Sequence, residues 1–207
     1  MQYHLSSLAF GITIAGFPLV SVELLSRRFG LGAELTRKLV HAASGIAVAC
    51  LPLFLSLHEI ALIAACFLVL MLTMRRGRTW HSLYRVNRRS WGEICFPVSV
   101  GLAAVLAPSS LAFVASMLVM GLADTAAAGI GGAYGTRHWP WSSGKTYLGS
   151  LACFLVALVI CLVMTRLGLA NVRLALLASL LATLAESITP YGLDNLTMPL
   201  VVLAVIH

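Results

Sequence analysis

Residues 110–131 read SLAFVASMLVMGLADTAAAGIG. A helix needs about 20 apolar residues to cross the hydrocarbon layer of a bilayer, and this run supplies them with a single charge, Asp124. The stretch therefore reads as a transmembrane helix, and its neighbours repeat the pattern. The 207 residues are 60% hydrophobic and 10% charged, with a mean hydropathy of +0.96. Soluble domains of this size carry about 25% charged residues. Apolar windows place helices near 5–25, 38–57, 60–74, 92–107, 110–131, 148–165, 172–189 and 194–206,. The expectation is an all-α integral membrane protein, a polytopic helical bundle of about seven or eight transmembrane helices. It forms a single transmembrane domain over 1–207. The last window is short and contains Pro199, so it inserts either wholly or in part. The opening MQYHLSSLAF has no Lys or Arg ahead of its apolar run, and it is expected to be a first span rather than a cleaved leader,.

The basic residues predict the orientation. Twelve of the fourteen Lys and Arg fall in the first, third and fifth connections: Arg27, Arg28, Arg37, Lys38, then Arg75, Arg76, Arg78, Arg85, Arg88, Arg89, then Arg137 and Lys145. Only Arg166 and Arg173 lie on the other side. The excess of Lys and Arg on cytoplasmic loops places the N-terminus outside. The formal charge of +7 is thus a property of one face. It either fixes topology alone or also draws in anionic headgroups or a polyphosphate. A nucleic-acid partner is not expected, since no soluble domain presents the charge. The five cysteines, Cys50, Cys66, Cys95, Cys153 and Cys161, lie singly in apolar stretches and are read as buried small hydrophobes,.

Carboxylates near hydrocarbon are costly and tend to mark function. Of the seven acidic residues, Glu34, Glu93, Asp124, Glu186 and Asp194 converge on the predicted cytoplasmic side, with His41 one turn beyond Lys38. Acids in a basic frame suit a divalent ion held between carboxylates and phosphate oxygens. Lys145 is placed to neutralise charge on a transferred phosphoryl group. On a helix, Asp124, Ala127, Ala128 and Gly131 share a face, and Gly135 follows one turn later,. That bare face admits either a nucleotide or a neighbouring helix. Gly131 and Gly135 have the spacing of a helix-packing pair, within the chain or in a homodimer. His41 and Glu93 are the two candidate bases. Neither a Walker loop nor a dinucleotide fingerprint is present: Trp139 and Tyr134 stand where each requires glycine,.

The order of the short motifs is similar to that of a known family. Asp124, Ala127, Gly131 and Gly135 are followed by Gly144, Lys145, Thr146, Gly149 and Ser150, then by Glu186 and by the tail of Asp194, Asn195 and Pro199. RKLVHAASG at 37–45 and GEICFP at 92–97 fit the earlier part. Together they resemble the family of dolichol kinase, phytol kinase and CTP-dependent diacylglycerol kinase, relatives of phosphatidate cytidylyltransferase. The resemblance runs from about residue 34 to 200, with catalytic motifs in 122–150 and 186–199. It implies a membrane enzyme that uses CTP or another nucleotide, with Mg²⁺, to phosphorylate a lipid alcohol. By that resemblance Asp124 and Lys145 are catalytic, while His41 and Glu93 join them as candidate bases from their position at the cytoplasmic mouth, where His41 serves either as base or in helix packing. Ala127, Gly131, Gly135, Gly144, Thr146, Gly149, Ser150 and Asn195 bind nucleotide, and Asp124, Glu186 and Asp194 hold the metal. Leu148 stands where the family often carries an acid. The nearest rival is a cytidylyltransferase, whose long C-terminal signature is missing. An ion-coupled transporter is the rival from another class, and no internal repeat supports it.

Overall fold

The computed structural model describes residues 2–77, 91–142 and 144–206. Eight helices lie among the described residues: α1 (Gln2–Phe29), α2 (Ala33–Cys50), α3 (Leu57–Gly77), α4 (Gly92–Leu106), α5 (Ser110–Tyr134), α6 (Tyr147–Arg166), α7 (Val172–Ile188) and α8 (Asp194–Ile206). The boundaries follow local chemistry. Ser109, Thr146 and Asn171 cap α5, α6 and α7, each side-chain oxygen accepting from a backbone N–H in the first turn,. Ser56 and Glu59 form a reciprocal capping box at the start of α3, with Ser56 N–H donating to Glu59 at 2.8 Å,. Gly30 ends α1 and Gly168 follows α6, both with positive φ, a conformation that glycine adopts without a Cβ penalty,.

The predicted second helix, 38–57, is shifted in the structure. Charged Glu34, Arg37 and Lys38 lowered the apolar signal of its first turns, while Pro52 sits in a 3₁₀ turn, Leu51–Leu53, that ends it. Four helical stretches are long and apolar enough to cross a membrane: Ser6–Phe29, Leu57–Arg75, Ser110–Tyr134 and Tyr147–Arg166. Among the described residues, four of the expected seven or eight spans thus meet that length and composition. α4 and α8 are shorter apolar helices, α7 has 17 residues, and α2 opens on charge.

Helix α5 is the centre of the bundle, packed against α2, α6 and α8, with Phe113, Met117 and Met120 fully buried. Consecutive helices pair as neighbours, α3 with α4, α6 with α7 and α7 with α8. Outward faces are apolar: Leu151, Leu155, Val159 and Val163 make an i, i+4 stripe on α6, each more than half exposed. Cys95, Cys153 and Cys161 are buried as expected, whereas Cys50 and Cys66 are exposed on that apolar exterior. Of the arginine-rich connection, Arg78, Arg85, Arg88 and Arg89 lie outside the described residues.

Candidate active site

A π turn, Val119–Ala123, interrupts α5 immediately before Asp124. One extra residue in the turn rotates everything after it about the helix axis and frees a carbonyl, which is why such turns recur at functional sites. The Met120 carbonyl, within that turn, accepts from His41 Nε2 at 3.0 Å. The bend is permitted by two glycines: a Cβ on Gly45 would lie 2.7 Å from Gly121 Cα. Asp124 is thereby turned toward α2, with its Oδ2 3.5 Å from His41 Nε2.

Lys145 is the hub. Its Nζ donates to Glu186 Oε1 at 2.6 Å and to Asp194 Oδ2 at 2.7 Å, and stands 4.0 Å from Asp124 Oδ1. Burial alone would lower its pKa, but Asp194, Asp124 and Glu186 together outweigh that and hold it above the ordinary lysine value,. Three largely buried carboxylates therefore face one fixed ammonium. The loop that carries Lys145 is a clip closed by a bridge between His138 and Thr146. Trp139 N–H donates to the Lys145 carbonyl at 3.1 Å, and its indole N–H donates to Ser150 Oγ at 2.9 Å. Trp139 also stacks on Trp141.

The space left by the glycines of α5 is filled from within the chain. A Cβ on Gly131 would meet Thr146 Oγ1 at 2.7 Å and Gly149 Cα at 3.0 Å, and one on Gly135 would collide with Thr146. A Cβ on Gly149 would meet the Ala127 carbonyl at 2.8 Å. The glycine spacing thus seats the lysine loop and the first turn of α6 directly on α5. On the far side, the turn 189–193 carries Tyr191 and Gly192 with positive φ. It is tied to α4 by Trp91 N–H donating to the Tyr191 carbonyl at 2.8 Å and by Asn195 Nδ2 donating to Gly92 O at 3.2 Å.

These elements enclose a cavity of about 1500 Å³. Asp124, Lys145, His41, Glu93, Glu186, Asp194 and Asn195 line it, together with Ala127, Gly144, Thr146 and Gly149. Gly131, Gly135 and Ser150 do not; they support the wall from behind, Ser150 by its contact with Glu186 Oε2 at 3.5 Å. Both expected bases are already engaged. A carbonyl can only accept, so His41 Nε2 carries its proton toward Met120 and beside Asp124. Glu93 accepts from Arg75 at 2.8 Å, and that guanidinium lies 4.1 Å above the Trp91 ring,. Lys38 was counted only as a topology residue, yet its Nζ donates to the Ala128 carbonyl at 2.7 Å and lines the cavity with Arg37. Its position three residues before His41, one helical turn along α2, was the available signal.

Among the described residues, no three His, Cys, Asp or Glu side chains gather into a protein-only metal centre. The arrangement is an acid–lysine cluster in a cavity that is also lined by apolar side chains. The chain is similar to the phytol kinase of Synechocystis sp., 29% identical over 198 residues, which cover 91% of this chain and 84% of that protein. No family model matches the chain, and no solved structure matches it. The similarity supports a distant relation to the lipid kinases.

Proposed function

We propose that this chain is an integral membrane kinase that transfers the γ-phosphoryl group of CTP to the hydroxyl of a long-chain isoprenoid alcohol. The observation that carries the proposal is Lys145, fixed between Asp194, Glu186 and Asp124 in one large cavity that is also lined by apolar side chains. The relation to a phytol kinase supports the choice of a phosphoryl transfer to a lipid alcohol. The apolar exterior of α6 supports insertion in a bilayer, since soluble monomers rarely leave such continuous faces exposed,. We propose that the shorter helices α2, α4, α7 and α8 complete the bundle within the membrane, and that the acid–lysine end faces the cytoplasm.

In the reaction the acceptor oxygen attacks the γ-phosphorus, the bond to the β-bridging oxygen breaks, and the hydroxyl proton leaves with a base. Such transfers depend on positioning and charge neutralisation rather than on covalent chemistry by the protein. Lys145 places a positive charge against the phosphates. Arg37, Lys38 and Arg75 line the same cavity and extend that field. His41 holds Asp124 in place, donating toward it and toward Met120.

Mg²⁺ fits the donor set. Carboxylates outnumber the ammonium at the floor, so a polyphosphate entering alone would meet excess negative charge. Mg²⁺ takes only one or two carboxylates and completes its shell with phosphate and water. Asp124 is the carboxylate least committed to the protein, its nearest partners, His41 and Lys145, being 3.5 and 4.0 Å away. Asp124 would hold the ion, with Asp194 and Glu186 beside it, and the ion would neutralise charge on the transferred group. The test is detergent-purified protein given CTP labelled at the γ-phosphate and a panel of lipid alcohols. Label on the lipid is expected. A CMP-lipid with released pyrophosphate would make the protein a cytidylyltransferase, and ion transport without product would make it a transporter.

A further inference from the structure

The clip between α5 and α6 carries more than Lys145. It opens on Trp139, Pro140 and Trp141. Ser142 N–H donates to the Trp139 carbonyl at 3.1 Å, closing a turn with Pro140 at the position its fixed φ favours,. Trp139 is held three ways. Its backbone N–H donates to the Lys145 carbonyl at 3.1 Å, its indole N–H donates to buried Ser150, and its ring lies 4.0 Å from that of Tyr147. Trp141 stacks on this anchored ring, with centroids 4.6 Å apart and planes at 19°.

The two rings differ in what they face. Trp141 lines the cavity, and Trp139 stands behind it. One face of the Trp141 indole is taken by Trp139, yet the residue is 55% exposed. Large aromatic side chains gain by covering their area, and this one is pinned in a single orientation with area still uncovered. Beside it, Gly144 has no atom within 4 Å of the place where a Cβ would stand, so the space next to the ring is open.

The neighbours name the occupant. Trp141 and Lys145 belong to one clip, joined across it by the backbone bond from Trp139 to Lys145. A flat π-surface and a phosphate-binding cation are therefore fixed relative to each other. A nucleoside triphosphate presents a planar base and a polyphosphate joined through one ribose, and it needs those two surfaces side by side. The clip also lies between the end of α5 and the start of α6, outside the apolar helices that face a hydrocarbon chain.

We infer that Trp141 is the platform on which the base of the phosphoryl donor stacks. The inference rests on the nucleotide-dependent kinase reading and adds to its phosphate and metal contacts a residue that binds the base. Removing an aromatic that stacks on a base weakens binding by about five- to 150-fold.

The test is equilibrium binding of labelled CTP, with Mg²⁺, to detergent-purified wild type, Trp141→Phe and Trp141→Ala. Trp141→Ala should weaken CTP binding at least tenfold, and Trp141→Phe, which keeps an aromatic face, far less. Inorganic tripolyphosphate has phosphates and no base, so its inhibition constant against CTP should be the same in wild type and Trp141→Ala. Equal CTP affinity in those two proteins would overturn the platform. Equal weakening of CTP and tripolyphosphate would also overturn it, making Trp141 a support for Lys145. In turnover, Trp141→Ala should raise KM for CTP far more than it lowers kcat, with KM for the lipid alcohol unchanged. The reverse pattern, a raised KM for the alcohol alone, would make Trp141 an anchor at the bilayer interface and sink the inference. CTP binding that weakens as expected while no alcohol is phosphorylated would remove the kinase reading and leave the platform standing. Absence of CTP binding to wild type would remove both.

Discussion

Lys145 concentrates the electrostatics of the molecule in one side chain. Its loss removes the cation that faces Asp194, Glu186 and Asp124. Lys145→Ala should lower the rate of lipid phosphorylation by about 10²-fold or more, the range seen when one preorganised electrostatic partner is removed. Lys145→Arg should recover only part, because a planar fork does not reproduce the reach of an ammonium. The same Lys145→Ala protein should also melt earlier, since breaking a buried pair costs about 3–5 kcal/mol when the partners stay charged. A thermal-shift series in detergent would show it, and an unchanged melting point would mean the three acids do not depend on Lys145. Asp124→Asn makes a separate test. Asn is nearly isosteric and can still accept from His41, so the fold should persist while Mg²⁺-dependent CTP binding is lost. Equal affinity in wild type and Asp124→Asn would remove Asp124 as the metal ligand.

At the level of elements, the site depends on two close approaches of backbone to backbone. Where α2 crosses the π turn of α5, Gly45 and Gly121 meet with no room for a methyl group. Gly45→Ala should destabilise the protein by about 1–3 kcal/mol, the usual cost of overpacking, read as a lower melting temperature. Where α6 begins, Gly149 lies against the Ala127 carbonyl. Gly149→Ala should push the first turn of α6, and with it Lys145 and Thr146, away from α5. Its expected signature is a fall in kcat larger than its fall in thermal stability; a stability loss with normal kcat would show that the clip tolerates the shift. The glycine pattern in the sequence was compatible with either a nucleotide or a helix partner. The structure assigns Gly131 and Gly135 to Thr146 and Gly149, because the lysine loop folds back onto the same face.

Among the described residues, Glu93, Asp124, Glu186 and Asp194 gather with Arg37, Lys38, Arg75 and Lys145 around one cavity. If the positive-inside bias governs insertion, a cysteine at Ser109 should react with an impermeant thiol reagent in intact cells, and one at Thr136 should not. Both positions are exposed, and the background for the assay must lack the exposed Cys50 and Cys66. The reverse pattern would put the nucleotide site on the outer face and remove cytoplasmic CTP as donor.

Helix number, approximate helix positions and the set of acids within apolar helical runs could be read from the chain itself. Backbone groups in an apolar medium must bond within their own segment, so apolar runs of sufficient length become helices whatever surrounds them. A carboxylate in such a run is conspicuous for the same energetic reason. What tertiary structure alone decided is how these groups meet. Lys145 joins Glu186 and Asp194 across 41 and 49 residues of chain, a meeting set by packing angles that no local pattern encodes. The π turn in VMGLA leaves no compositional mark, yet it aims Asp124 and commits His41 to a carbonyl.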